Sequence, residues 1–392
     1  MQAWFGRHRF AGWVALVTLV YGLATIATAQ VNTGRVGLGM TIATNLLLHG
    51  QASIGYLPGA TDTVTSDGQT YHVMSLGPIL PYLVFVPFGG LGEASRWIVS
   101  FIFGVMAASL AWPLGGVFGL AGPARLWFAV LVAFGTLVFP LSVRGNDYFL
   151  AHAQAMAATM LALIEWQGRR RPWAVAGALA LAALARPTVL LALLPLGAWL
   201  LWTGRSRGRA LVELAVPVGL VALVTGAWNF ARFGSPLETG YALATLTNPV
   251  LIAARRQGTF SWRHIGPNLA TLVGAGFGVQ AAFPWLVPSA WGQSILLTTP
   301  ALLVGIGAPW RDATVRVMAI AAGLITLALL AYYGGAGFHT YGYRYFLDAT
   351  PFLLALVAAA MRRRFGALEQ TLIVLSVAFC SYGIVSGLIG LD

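Results

Sequence analysis

The chain contains no lysine and few acidic residues. All 23 basic residues among 392 are arginines, against 11 Asp and Glu. With 58% hydrophobic and 9% charged residues, the composition excludes a soluble globular domain, because each soluble element buries only one face. The single cysteine, Cys380, excludes an internal disulfide and a cysteine-ligated metal. The formal charge of +12 does not indicate nucleic acid, since the arginines follow the ends of apolar runs.

Apolar stretches of about 17–25 residues recur along the whole chain, which is the length a helix needs to cross a bilayer. We predict an all-α polytopic integral membrane protein, one transmembrane domain over residues 1–392 with about 11 transmembrane helices. Arginine-rich short loops place the N-terminus in the cytoplasm. The predicted spans are about 11–29, 96–119, 125–143, 148–167, 173–185, 188–203, 211–230, 294–309, 314–334, 346–361 and 367–389.

Two long segments, 30–95 and 231–293, are predicted to lie on the outer face. The first contains two semi-apolar pieces that favour surface helices, and between them an alternating stretch with Asp67-Gly68 that favours a hairpin. In the second, residues 268–287 are apolar enough for a twelfth span. Counting it would place the Arg362–Arg364 triplet outside, so we interpret it as an interfacial or re-entrant helix.

Few carboxylates lie on the predicted outer face, and these are the candidate catalytic residues. Asp147 comes at the mouth of two spans, where an ionisable group is costly unless it faces a cavity or a partner. It is equally a helix cap that pairs with Arg144. Asp67 is equally a turn residue, and Asp62 begins the same alternating stretch.

A second set of side chains fits an anionic ligand. Arginines beside aromatic residues near an interface suit phosphate, or else anchor the chain in the membrane. The histidines are equally ordinary surface hydrogen-bonding residues, and the tyrosines are equally part of an aromatic belt. The candidates for substrate or phosphate binding are Arg344, Arg232, Arg144, Tyr343, His339, His152 and Glu238.

Several functional signatures are missing from the sequence. It has no P-loop, no G-x-S-x-G nucleophile elbow and no H-E-x-x-H zinc motif. Acidic residues are nearly absent from the apolar spans, and this argues against an ion-coupled transporter.

An ordered set of motifs runs through most of the chain. It comprises Asp67-Gly-Gln-Thr-Tyr71 followed by a Pro-rich stretch, Ala185-Arg-Pro-Thr188, Phe233-Gly-Ser-Pro-Leu-Glu-Thr-Gly-Tyr241, Phe260-Ser-Trp-Arg263, Ser294-Ile-Leu-Leu-Thr-Thr-Pro300 and Gly342-Tyr-Arg-Tyr-Phe346. In this order and spacing the chain resembles the bacterial GT-C membrane glycosyltransferases, the group of the protein O-mannosyltransferases and the lipid A aminoarabinose transferases.

The resemblance implies a transferase of the bacterial inner membrane that works on its periplasmic face. Its donor would be a polyprenyl-phosphate-linked sugar, and its acceptor a cell-envelope glycan, lipid or protein. A carboxylate would act as base and cationic groups would hold the leaving phosphate. Some relatives also use a divalent metal, although no residue of this sequence indicates a metal site.

The sequence departs from the family at one important place. Such enzymes usually carry the catalytic acid just after the first span, whereas residues 30–37 here contain no carboxylate. Either the base lies elsewhere, or the chain is a catalytically inactive GT-C-like subunit. If the base lies elsewhere, the outer candidates are Asp147, Asp67 and Asp62, with Asp147 first because it lies at a span mouth and not in a predicted turn. A flippase or transporter of lipid-linked glycans is the remaining alternative.

Overall fold

The computed structural model describes residues 2–31, 37–55, 60–66, 68–91, 94–204, 206–338 and 340–388. These residues form helices and two small antiparallel sheets. The helices are α1 (Gln2–Val31), α2 (Leu38–His49), α3 (Ala94–Val117), α4 (Gly122–Phe134), α5 (Val138–Ser142), α6 (Asp147–Gln167), α7 (Pro172–Ala185), α8 (Leu193–Thr203), α9 (Arg207–Phe233), α10 (Pro249–Arg255), α11 (Ile265–Gly274), α12 (Ile295–Thr298), α13 (Ala313–Ala331), α14 (Thr350–Arg363) and α15 (Ala367–Leu388). The strands are β1 (Thr63–Ser66), β2 (Gln69–His72), β3 (Gly278–Val279) and β4 (Leu286–Val287).

Five of the described helices are long and apolar enough to cross a membrane: α1, α3, α9, α13 and α15. Each of them covers a span predicted from hydropathy. The prediction of an all-helical polytopic membrane protein is therefore confirmed. The number of spans, about 11, stays a prediction.

Other predicted spans are shorter or interrupted helices. The span at 125–143 is divided into α4 and α5 around Gly135, and α8 is preceded by a 3₁₀ turn at Pro187–Ala192. The span at 294–309 consists of α12 and a 3₁₀ helix at Pro300–Gly307. Proline explains the last two breaks, because it has no N–H for the helix ladder.

Helix α6 lies at the centre of the bundle, packed between α3 and α7. Its small residues, such as Ala153 and Ala157, are buried, as are Ala176 and Ala180 of α7. Small side chains allow two membrane helices to approach closely, which is how such helices associate without a hydrophobic driving force. Being enclosed by protein, α6 carries buried His152 and other polar residues that a lipid-facing helix would not tolerate.

The first long segment folds into α2, a β1–β2 hairpin and two 3₁₀ turns. Strand β1 pairs antiparallel with β2, and an isolated bridge joins Thr63 to Thr245 of the second long segment. The hairpin thus lies against the second segment. In the stretch 268–287, α11 ends at Gly274 and β3 then pairs with β4, so the described residues contain no helix that continues through it.

Candidate functional site

A cavity of about 450 Å³ opens where both long segments meet the ends of the helices. The parts of the chain that form it are the hairpin, the start of α6, the turn after α7, the region around α10, the loop after α13 and the residues before α14. Its polar and aromatic lining includes Asp62, His72, Asn146, Asp147, Tyr148, His152, Arg186, Tyr241, Asn248, Tyr332, Tyr333, Arg344 and Tyr345. All these segments belong to the face that the sequence predicts to be outer.

Asp62 is fixed on the cavity wall through its backbone. Its N–H donates to the Thr245 carbonyl over 2.8 Å, and its carbonyl accepts from the Val73 N–H over 3.0 Å. Its φ of 57° lies in the left-handed region, which aspartate adopts more readily than most residues. The half-buried side chain is therefore held by two segments at once and faces the cavity.

The Asp62 carboxylate is only partly satisfied. Tyr148 donates its hydroxyl to Oδ2 over 3.2 Å, while Oδ1 accepts no hydrogen bond from a described residue. Burial raises the pKa of Asp62 above its ordinary value, and the Tyr148 bond and the charges of Arg344 and Arg255 oppose that rise. One carboxylate oxygen thus remains available to a ligand.

Asp147 also borders the cavity, but its carboxylate binds within the protein. The Gly39 N–H donates to Oδ2 over 3.0 Å and the Tyr82 hydroxyl donates to Oδ1. The first contact satisfies the Gly39 N–H, which lies in the first turn of α2 and has no carbonyl acceptor within the helix. Gly37 lies so close that a Cβ there would be 3.1 Å from Oδ2. Asp147 therefore ties α6 to α2.

Arg344 is a buried cation that forms no ion pair with a described residue. It is 9% exposed, and its Nε has no hydrogen-bond partner in the described part of the chain. Its guanidinium lies 5.0 Å from the centre of the Tyr345 ring and donates to that hydroxyl over 3.3 Å. Gly337, at φ 94°, makes room for it, because a Cβ would lie 2.5 Å from Nε. The charge is therefore available to an anion in the cavity.

Arg186 lies over the same tyrosine, 4.6 Å from the ring centre. Unlike Arg344 it is paired, with Nη2 3.0 Å from Oδ2 of Asp348. Thr188 also donates to that carboxylate, and Nδ1 of His152 lies 3.5 Å from Oδ1. This buried cluster joins the turn after α7, α6 and the residues before α14.

The sequence interpretation did not include Arg186 or Asp348 among the site residues. Arg186 is part of the Ala185-Arg-Pro-Thr188 motif, and that motif could have indicated a site residue. Arg344 and Asp348 are four residues apart, a spacing at which side chains on an α-helix can pair, but the partner of Asp348 is Arg186. The spacing rule requires an α-helix, and residues Arg344–Asp348 form a 3₁₀ helix instead.

Four other candidates lie outside the cavity lining. Arg232 donates to the carbonyls of His72 and Met74 over 2.7 and 3.0 Å, which fixes the hairpin to α9. Arg144 donates to the Gly383 carbonyl. The side chain of Glu238 accepts from the Gly240 N–H, and that of Tyr343 is buried.

Two further candidates, Asp67 and His339, lie outside the described residues. The described residues contain no group of three His, Cys, Asp or Glu side chains placed to hold a metal ion. The described residues therefore offer no ready donor set for a divalent metal, whose hard-cation sites need several oxygen ligands.

One solved structure resembles the chain over nearly its whole length. It is the crystal structure of ArnT from Cupriavidus metallidurans bound to undecaprenyl phosphate, with a TM-score of 0.52 and 16% sequence identity. The match covers 91% of this chain and 61% of ArnT, so the chain spans about three fifths of that protein. No protein-family profile and no curated protein sequence matches the chain. The backbone therefore has the GT-C-like fold of the membrane glycosyltransferases.

Proposed function

We propose that the chain is a glycosyltransferase that moves a sugar from a polyprenyl-phosphate donor to a hydroxyl of a cell-envelope acceptor. The ArnT-like fold supports this class, and the undecaprenyl phosphate bound to ArnT suggests the donor lipid. The observation that carries the proposal is the composition of the cavity. Its lining includes the carboxylate of Asp62, one oxygen of which accepts no hydrogen bond from a described residue. It also includes Arg344, a buried cation that forms no ion pair within the described part of the chain.

The donor phosphate would bind at Arg344, with Arg186 close by over the same Tyr345 ring. A guanidinium is well suited to phosphate because its N–H groups match two phosphate oxygens. Arg186 is already neutralised by Asp348, so Arg344 supplies the uncompensated positive charge. Electrostatic stabilisation of the leaving phosphate in an enclosed site is commonly the largest contribution to such a reaction.

Asp62 would act as the general base. Its free Oδ1 would take the proton of the acceptor hydroxyl as that oxygen attacks the anomeric carbon. The bond from the anomeric carbon to the phosphate oxygen breaks at the same time, and polyprenyl phosphate leaves with the electron pair. The raised pKa of Asp62 suits this role, because a base is most effective when its pKa is near the working pH.

The contacts favour Asp62 over Asp147 as the base. Asp147 is 6% exposed, and its carboxylate accepts hydrogen bonds from the Tyr82 hydroxyl and from the Gly39 N–H in the first turn of α2. Taking up a proton there would break the tie between α2 and α6. We assign the reaction to the predicted outer, periplasmic face because every segment around the cavity belongs to it.

The test is release of polyprenyl phosphate by the purified chain in nanodiscs, using a panel of polyprenyl-phosphate sugars and envelope-lipid acceptors. Release that depends on an acceptor would support the transferase. Tight binding of polyprenyl phosphate without release from any donor would contradict it and favour the inactive GT-C-like subunit. Movement of the intact donor across a liposome membrane, without release, would favour the flippase.

A matched pair of variants locates the chemistry. Asp62→Asn removes the proposed base and is expected to lower the release rate by about 10²- to 10⁴-fold. Asp312→Asn is the control, because Asp312 caps α13 by accepting from the Thr314 N–H, and asparagine caps helices equally well. Equal rates in both variants would contradict Asp62 as the base.

A further inference from the structure

Three side chains, two from the hairpin region and one from α6, are hydrogen-bonded in series along the cavity wall. Nε2 of His72 lies 2.7 Å from the Tyr148 hydroxyl, which lies 3.2 Å from Oδ2 of Asp62. The other ring nitrogen of His72, Nδ1, accepts the Met74 N–H over 3.0 Å. The His72 and Tyr148 rings meet edge to face, 5.4 Å apart.

The backbone bond to His72 sets the direction of this series. Because Nδ1 accepts a hydrogen bond, it carries a lone pair, and a neutral ring must have its proton on Nε2. Nε2–H therefore donates to the Tyr148 oxygen, and the tyrosine hydrogen is left to donate to Asp62. Burial, together with the nearby Arg232 charge, lowers the pKa of His72 to about 4. The ring is thus neutral at physiological pH.

We propose that Tyr148 and His72 are positioning residues that hold Asp62 as a charged carboxylate, with Oδ2 fixed and Oδ1 left for the acceptor hydroxyl. This rests on the proposed function, in which Asp62 is the base. Tyr148 cannot itself exchange a proton with substrate without breaking the series, because its oxygen accepts from His72 and its hydrogen is donated to Asp62.

The series counteracts the cost of burying the Asp62 charge. Burial is the largest influence on its pKa and favours the protonated form. Hydrogen bonds to the ionised form act in the opposite direction, and Tyr148 supplies the side-chain bond of this kind. The other charged or titratable groups that influence Asp62 or are influenced by it are Arg344, Arg255, Tyr241 and Tyr333.

The pH dependence of kcat/KM tests this role. Tyr148→Phe is expected to raise the midpoint of the acidic limb by about one to two pH units, the effect of losing one hydrogen bond to a charged group. His72→Leu should shift the midpoint in the same direction. His72→Gln should restore it, because a side-chain amide can donate the same bond to Tyr148.

Tyr82→Phe is the matched control. It removes the corresponding tyrosine hydroxyl from Asp147 instead of Asp62, so the midpoint should remain at the wild-type value. An unchanged midpoint in Tyr148→Phe would overturn the proposal. A shift in Tyr82→Phe alone would transfer the base role to Asp147.

A second measurement does not require turnover. Nitrogen-15 NMR of histidine-labelled protein, with His72 assigned through His72→Gln, should show a neutral Nε2–H ring from neutral pH down to about pH 5. An Nδ1–H ring, or a ring already charged at pH 6, would overturn the series whether or not turnover is found. No turnover together with an Nε2–H ring would refute the proposed function and leave the series intact.

Discussion

Asp62 and Asp147 both border the cavity, but different groups contact their carboxylates. Asp147 accepts from Tyr82 and from Gly39, which lie 65 and 108 residues away in the chain. Asp62 accepts from Tyr148 on one oxygen, and its other oxygen accepts no hydrogen bond from the residues that the structure describes. From the sequence, both residues are predicted to lie on the outer face, and Asp147 is interpreted as either a helix cap or a base. The sequence could not separate them, because their partners are distant in the chain.

At the residue scale, Arg344 should determine the affinity for the donor phosphate. Arg344→Gln removes the uncompensated charge and should weaken polyprenyl phosphate binding by about 10- to 100-fold, the effect of losing charged hydrogen bonds. Binding is measured by native mass spectrometry or by displacement of a fluorescent lipid from the protein in nanodiscs.

The control for this change is Arg263→Gln. Arg263 is another arginine of the predicted outer face, but it lies over Trp262 and outside the cavity lining. Its replacement should leave the affinity unchanged. Equal losses in both variants would show that surface charge, and not a defined site, attracts the lipid.

The pH dependence of turnover should reflect the ionisation of Asp62. A base works only when deprotonated, so the rate should fall tenfold per pH unit below the pKa, with a midpoint above the ordinary value of 3.8. The raised pKa also affects the free energy of unfolding. Asp62 stabilises the folded state at low pH, and this contribution is lost as the pH rises through its folded-state pKa. A rate that stays level down to the ordinary aspartate pKa would contradict this assignment.

At the element scale, Gly77 lets the first long segment contact the end of α7. Its N–H donates to the Leu184 carbonyl over 2.8 Å, and a Cβ would lie 2.6 Å from the Ala185 nitrogen. Gly77→Ala forces these backbones apart and should lower the free energy of unfolding by about 1–3 kcal/mol. The change is measured by denaturant unfolding in detergent.

Gly266→Ala serves as the matched change for that experiment. Gly266 lies in α11 with no atom within 4 Å of the added Cβ, so its replacement should be neutral or slightly stabilising. Donor binding should also weaken in Gly77→Ala alone, because Arg186 follows Ala185 directly. A loss of stability no larger than that of Gly266→Ala would contradict the close contact.

Arg232 joins α9 to the hairpin, although its sequence surroundings resemble those of a phosphate-binding arginine. The sequence shows an arginine between aromatic residues, a pattern shared by phosphate sites and by structural arginines. In the fold it stacks on Trp228 and Phe233 at 4.5 Å and donates to backbone carbonyls at the end of β2. Position in the sequence alone does not decide between those uses.

At the scale of the whole molecule, the Arg186–Asp348 pair joins residues 162 positions apart. The Asp348 side chain is fully buried, so Asp348→Asn leaves the partly buried guanidinium of Arg186 without its carboxylate. We expect a loss of about 3–5 kcal/mol in the free energy of unfolding. The exposed pair Arg209–Glu213 is the comparison, and Glu213→Gln should cost at most about 1 kcal/mol. Similar losses in both variants would contradict a structural role for the buried pair.

The sequence predicted the membrane class and the helices better than it predicted the cavity. Apolar runs bounded by arginines locate α3 and α9 to within a few residues, because a bilayer imposes both length and polarity on a spanning helix. The interruption at Gly135 depends on packing and could not be placed from the sequence. The cavity brings together Asp62, Tyr148 and Arg344 from separate segments. Nothing in the sequence indicates that these residues lie close to one another.

The most direct measurement compares Asp62→Asn with Asp147→Asn in one assay of polyprenyl phosphate release. Donor-lipid binding is measured on the same preparations, so that a folding defect is recognised. Asp62→Asn is expected to bind the donor and to release polyprenyl phosphate about 10²- to 10⁴-fold more slowly. Asp147→Asn should instead lose stability and retain its rate per folded molecule. A wild-type rate in Asp62→Asn, with the loss found in Asp147→Asn, would contradict the assignment.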